Sequence, residues 1–251
     1  MSRIRFLPLF LTTIFLTPVP PSAQNIDPKE IIDRVDRLLR GDSSQGRIEM
    51  TVVTKRWKRT VGMEIWSEGV DKALVRITSP KKEEGIATLK VGRDIWNYLS
   101  KIDRTIRVPS SMMGSSWMGS HFTNDDLVKE SRLVTDYEIE LSYAGLRDDV
   151  DVYEFRLVPH EDAAVVWGAM TYQVRKADLI PIWARYYDED GELKRTMTFE
   201  DVRLMGGRKI PTLIKLVPAD NPQEYTQMIY HDLKFDLELP KRIFSLSELR
   251  R

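Results

Sequence analysis

The chain has 251 residues, 38 Lys and Arg against 38 Asp and Glu, no cysteine, and 42% hydrophobic residues. Zero formal net charge supplies no basic field for a nucleic-acid backbone. The missing cysteines exclude disulfides, a thiol nucleophile and a lipid-modified cysteine anchor.

The first residues read as a secretory signal. Arg3 and Arg5 form a basic start, and Phe6 to Leu16 form an apolar run, interrupted by Pro8 and two threonines, that is too short to span a bilayer. Cleavage is expected near Ala23, after small Ser22, although Pro21 fits the small-x-small rule poorly. Removal of the signal takes two arginines and leaves a slightly acidic chain, which is expected to be soluble. Beyond it no apolar run reaches membrane-spanning length, and no linker, repeat or low-complexity tract divides residues 24–251, which read as one domain.

One helix is announced by Asp27 as N-cap, Pro28 at the first helical position, Glu30 three residues after the cap, and Gly41 just past the end. Ile31, Ile32, Val35, Leu38 and Leu39 share one face, which fits a helix packed on its own domain or a movable cover. The period then changes to two, with Ile48, Met50 and Val52, then Val61, Met63 and Ile65, then Ala73, Val75 and Ile77. Strand patterns continue over Ile86–Val91, Asp94–Leu99 and Thr105–Val108, and Trp96 and Tyr98 sit beside Ile95 and Leu99 on a strand with bulky residues on both faces. A sheet apolar on both sides must be covered on both or enclose something apolar.

Ser111 to Leu127, SMMGSSWMGSHFTNDDL, interrupts this pattern with Met112, Met113, Trp117, Met118 and Phe122 on a Gly/Ser-rich stretch. Thioethers adapt to irregular apolar surfaces, so the segment suits a site for a flexible hydrophobic ligand or a plug for a core. A short helix over Asn124–Ser131 follows, capped by Thr123 or Asn124, with Asp125 and Asp126 in its first turn. Strand patterns resume over Tyr137–Ser142, Val152–Val158, Met170–Arg175, Pro181–Tyr187, Leu193–Leu204, Lys209–Val217 and Glu224–Phe235. Turns at Gly92-Arg93-Asp94, Asp188 to Gly191 and Gly206-Gly207 make the sheet antiparallel and largely a meander. So many strands with so few helices form a sandwich or a strongly curved sheet approaching a barrel.

Chemistry finds little material. The histidines are His121, His160 and His231, and no Gly-x-Ser-x-Gly elbow or phosphate-binding glycine loop occurs. Ser120, His121 and Asp125 lie close in sequence, but triads assemble from separated elements. His160-Glu161-Asp162 reads as a solvated turn rather than a metal site. Lys55, Arg56, Lys58 and Arg59 around Trp57 form a solvated strand end or a transient contact with anionic head groups at a membrane surface. We therefore expect no enzyme, no cofactor and no metal.

Asp71-Lys72-Ala73-Leu74-Val75-Arg76-Ile77-Thr78-Ser79-Pro80, then Gly85-Ile86-Ala87-Thr88-Leu89, Trp96-Asn97-Tyr98-Leu99, Arg104 to Arg107, and Trp117-Met118-Gly119-Ser120-His121-Phe122 occur in that order. Together they resemble the outer-membrane lipoprotein-sorting protein family, related to the LolA and LolB carriers. The pattern Met-Gly-Ser-x-Phe-x-x-x-Asp-Leu at Met118 to Leu127 is the most specific part, and His121 departs from the acidic residue often found there. The resemblance implies a single antiparallel, strongly curved, incomplete β-barrel covered by helices. It implies a periplasmic carrier holding acyl chains of a lipoprotein or free lipid and moving them toward the outer membrane. Met112, Met113, Trp117, Met118, Phe122, Trp96 and Tyr98 are then expected in the cavity or at its mouth. No arginine can be matched to the carriers' lid arginine. An alternative partner is an inner-membrane lipid exporter of the resistance-nodulation-division type, on which the protein would dock.

Overall fold

The computed structural model describes residues 27–129, 133–163 and 165–251, so the signal segment and the end of the second expected helix lie outside the described residues. The first helix, α1 (Pro28–Arg40), is built as its caps foretell: the Asp27 carboxylate accepts from Lys29 N–H at 2.9 Å, and Gly41 ends it with φ 68°. Ile32 and Val35 of its apolar face are buried.

Thirteen strands follow, and each coincides with one of the runs read from the sequence. The first six are β1 (Ser43–Val53), β2 (Lys58–Glu68), β3 (Lys72–Ser79), β4 (Ala87–Val91), β5 (Asp94–Leu99) and β6 (Arg104–Arg107). Two short helices, α2 (Asn124–Lys129) and α3 (Leu133–Asp136), separate these from β7 (Tyr137–Arg147), β8 (Val150–Pro159), β9 (Ala169–Arg175), β10 (Pro181–Tyr187), β11 (Leu193–Met205), β12 (Arg208–Pro218) and β13 (Tyr225–Phe235). A last short helix, α4 (Leu246–Leu249), ends the chain.

All strands join one antiparallel sheet in the order β6-β5-β4-β3-β2-β1-β13-β12-β11-β10-β9-β8-β7. Two meanders are therefore sewn together at β1 and β13, whose partners, such as Ser44 and Phe235, are far apart in sequence. At this seam a Cβ on Gly46 would lie 2.2 Å from the Asp232 carbonyl oxygen, so only glycine permits the close approach. Register shifts beside it at Arg47/Ile48, and at Gly62/Met63, Leu141/Tyr143 and Tyr186/Tyr187, bend the strands. The sheet curls strongly but stays open, because among the described residues its edge strands β6 and β7 do not pair.

The concave face collects Met50, Met63, Ile77, Phe155, Met197 and Leu216, from strands of both meanders, into one core with Ile32 and Val35 of α1. The chain between β6 and β7, described over 108–129 and 133–136, crosses between the two edges of the sheet and contributes Trp117, Phe122 and Leu127 to the same core. The convex face of β3 to β5 has its own cover, which the sequence reading did not anticipate. Phe244 and Leu249, at the C-terminus, bury Leu74, Ala87, Leu89 and Tyr98. Among the described residues no helix is long and apolar enough to cross a membrane.

Candidate functional site

Between α1, the 108–136 crossing and the concave face lies an apolar cavity of about 300 Å³. Its walls come from both meanders: Ile48, Ile65 and Val75 on one side, Met170, Tyr172, Met197 and Phe199 on the other, with Ile214, Met228 and Tyr230 between. Ile32 and Val35 of α1 roof it.

One end is shut. Near the β1–β2 turn the Met-rich segment folds into a tight hairpin, with Trp117 N–H donating to Phe122 O at 2.7 Å and Ser120 N–H to Trp117 O at 2.9 Å. Met118 (φ 52°) and Gly119 (φ 73°) form its bend, both left-handed as a turn of this hand requires. The hairpin drives Trp117 and Phe122 inward, where they are 2% and 5% exposed and line the cavity. Trp117 Nε1–H donates to Thr88 Oγ1 at 3.1 Å, and Thr88 in turn donates to Asn97 Oδ1 at 2.7 Å, so the indole is held by β4 and β5. Arg59 of β2 donates to Met118 O and pairs with Glu83, which ties the hairpin to the sheet from outside.

Behind the hairpin, Thr123 and Asp126 cap α2 reciprocally: Asp126 N–H donates to Thr123 Oγ1 at 3.2 Å and Thr123 N–H to Asp126 Oδ2 at 2.6 Å. The same carboxylate meets both terminal nitrogens of Arg195 on β11, and Nη1 also donates to His121 O at 3.2 Å. The guanidinium lies 4.3 Å from the Trp167 ring centre and 4.1 Å from that of Tyr186. This is a buried clasp between crossing and sheet. Beside it, burial and the neighbouring Asp125 and Asp136 push the Tyr137 hydroxyl far above the usual phenol range, so it stays protonated.

The other end of the cavity is polar. Around the C-terminus of α1 and the β2–β3 turn the lining passes to Asp36, Arg40, Ser44, Ser67, Lys72 and Lys90. Of these Asp36, Arg40, Ser67 and Lys72 reach solvent, as do Gly69 and Val70, whereas the Trp117 end is buried, so the mouth lies here. Arg40 pairs with Asp36, whose carboxyl burial raises above its usual range against the opposing pull of that arginine. Ser44 Oγ and Ser67 Oγ share a hydrogen bond of 2.7 Å, and buried Lys90 donates to Val70 O at 2.6 Å.

The structure thus divides the seven residues singled out in the sequence. Trp117 and Phe122 line the cavity at its floor rather than its mouth, because the hairpin lies at the end of the sheet opposite the opening. Met113 and Met118 are half-buried and Met112 is 48% exposed, and none of the three lines the cavity. Trp96 and Tyr98 point to the convex face and pack with the C-terminal cover, since alternation along β5 turns Ile95 and Asn97 the other way. The mouth residues were missed. Lys90, a charge within the apolar strand ATLKV, was the available signal; Arg195 had none. Ser120 donates to Trp117 O at 2.7 Å and the His121 ring meets Thr226 Oγ1 at 2.8 Å, so their hydroxyl and imidazole serve the hairpin.

Solved structures share this architecture. A DUF1329 family protein from Desulfovibrio piger is 20% identical, with a TM-score of 0.81 over 89% of this chain and 100% of that one. A putative outer membrane lipoprotein-sorting protein domain from Vibrio parahaemolyticus is 21% identical, with a TM-score of 0.78 over 89% and 98%. A LolA superfamily protein from Nitrosomonas europaea is 24% identical, with a TM-score of 0.75 over 89% and 99%. A family model described as "-like: Uncharacterized protein" matches residues 69–251. The chain belongs to the family that this model describes, and it shares the fold of the LolA superfamily structure. No curated protein matches the sequence. The family model's match spans β3 to the C-terminus, and so includes the crossing, the clasp and the C-terminal cover.

Proposed function

We propose that the protein is an exported, periplasmic, non-enzymatic carrier whose single domain, residues 24–251, shelters an acyl chain of a lipid or lipoprotein in transit. The observation that carries this reading is the apolar cavity, walled by both meanders, floored by Trp117 and Phe122, and opening at a polar rim. Its volume of about 300 Å³ falls at the small end of ligand cavities, which suits one chain. Each buried methylene is worth about 0.8 kcal/mol, so sheltering about ten would hold a chain by ~8 kcal/mol before the costs of association. That is enough to keep it from water and weak enough to release it. The signal-like start supports export, and the name of the Vibrio structure supports lipoprotein sorting as the setting.

The test is to extract and weigh lipids that accompany the purified protein, then titrate the delipidated chain with a fluorescent fatty acid. Saturable binding that is lost in Met228→Trp, which fills the cavity from β13, supports the carrier. Absence of both co-purifying acyl species and saturable binding removes it.

A further inference from the structure

The floor of the cavity is fixed from both meanders at once. In the first, Arg59 of β2 donates to Met118 O, and Thr88 Oγ1 of β4 accepts the Trp117 indole N–H at 3.1 Å. In the second, Thr226 Oγ1 of β13 accepts His121 N–H at 2.9 Å, and Arg195 Nη1 of β11 donates to His121 O at 3.2 Å. Inside the hairpin the Ser120 hydroxyl donates to Trp117 O at 2.7 Å and accepts from Phe122 N–H at 3.1 Å, which locks the backbone that carries the two floor rings. Swinging Trp117 aside for a longer ligand would break several of these bonds and strand buried polar groups, so the floor does not yield. Cargo can lengthen only toward the mouth. Along β13 the lining runs from Met228, toward the floor, to Leu233, toward the mouth, five residue steps (228 to 233) and about 17 Å of strand. Three bonds of an extended chain cover about 3.8 Å, so a tail of about twelve or thirteen carbons spans that depth. Each methylene up to that length passes from water to apolar wall, and each one beyond it stays in solvent at the polar rim.

We propose that the hairpin is a ruler for cargo length: Trp117, backed by Phe122, stops the tail and makes about twelve carbons the longest chain that still gains affinity from each added methylene. The inference rests on the carrier reading and deepens it by assigning the residues that select among acyl chains. Selection is by tail length, and it comes from the hydrogen bonds that hold the indole in place.

Calorimetric titration of the delipidated chain with octanoate, decanoate, laurate, myristate and palmitate, each as monomers, tests this, since the acids share a head and differ in the tail. Affinity is expected to rise about fourfold per methylene from octanoate to laurate and to stay within about threefold from laurate to palmitate. In Trp117→Ala, which opens room beneath the tail, the rise should continue through myristate. Phe122→Ala, which opens the same floor and keeps the indole bond to Thr88, replaces it should Trp117→Ala fail to fold. Wild-type affinity that climbs steadily to palmitate, or a break at laurate that the folded variant keeps, overturns the ruler and leaves the carrier standing. Failure of every acid to bind removes the carrier reading, and the ruler with it.

Discussion

The clasp between Asp126 and Arg195 gives the sharpest stability prediction. Their side chains are 5% and 4% exposed, and the carboxylate also accepts the cap hydrogen bond from Thr123 at 2.6 Å. In Asp126→Asn the shape survives and one acceptor oxygen remains, but the guanidinium between Trp167 and Tyr186 loses the charge of its two-pronged carboxylate partner in a site closed to water. Removing one partner of a buried pair costs ~3–5 kcal/mol, and the retained aromatic stacking places this site near the lower end, about 3 kcal/mol. Replacing both partners, as in Asp126→Leu with Arg195→Met, removes the stranded charge and should recover most of that loss. Urea unfolding of Asp126→Leu, Arg195→Met and the double variant measures the cycle, and hydrogen exchange should show faster opening of residues 117–127 in Asp126→Asn. A loss below about 1 kcal/mol, or a double variant no more stable than the worse single one, refutes the idea that the clasp fastens the crossing.

Three further expectations concern the two faces and the rim. Phe244→Ala removes the centre of the convex cover and should cost about 3 kcal/mol while leaving acyl affinity of the folded protein unchanged, as should Trp96→Ala for affinity; weakened binding in either would put the site on the wrong face. The Asp236 carboxyl is held below its usual range, first by the Asp42 N–H at 2.9 Å and then by Arg208. Its contribution is therefore complete above the ordinary aspartate value of 3.8 and is lost as pH falls through its lower folded value, so Asp236→Asn should flatten the loss of stability below about pH 4 in acid titrations followed by circular dichroism. Asp36 behaves oppositely: burial raises it, so it opposes folding increasingly as pH climbs from 3.8 through its folded value, and Asp36→Asn should remove that decline.

The sheet was legible because period-two alternation and turn residues are local, and all thirteen runs became strands with only their ends displaced; β7, for example, runs to Arg147 rather than Ser142. The caps of α1 were legible for the same reason. What the sequence did not disclose depends on pairings between distant residues. The seam of β1 with β13 decides which turns share an end of the sheet, and hence that Trp117 and Phe122 close the cavity while Arg40 and Lys72 frame its opening. The hairpin itself was hidden because Met118 adopts a left-handed conformation that methionine does not announce. Which face of β5 is inner follows from where the C-terminal segment lands, although Ser245 bonding to Glu248 N–H at 3.2 Å was a readable helix start.

Fluorescence quenching by a fatty acid brominated at its methyl end tests the central claim most directly, because the bromine must arrive beside the buried floor indole. The account predicts saturable quenching in the delipidated wild type that is largely lost in Trp117→Phe, with binding itself retained. Quenching that does not saturate, or that Trp117→Phe leaves unchanged, would contradict a chain lying in this cavity with its tail on Trp117.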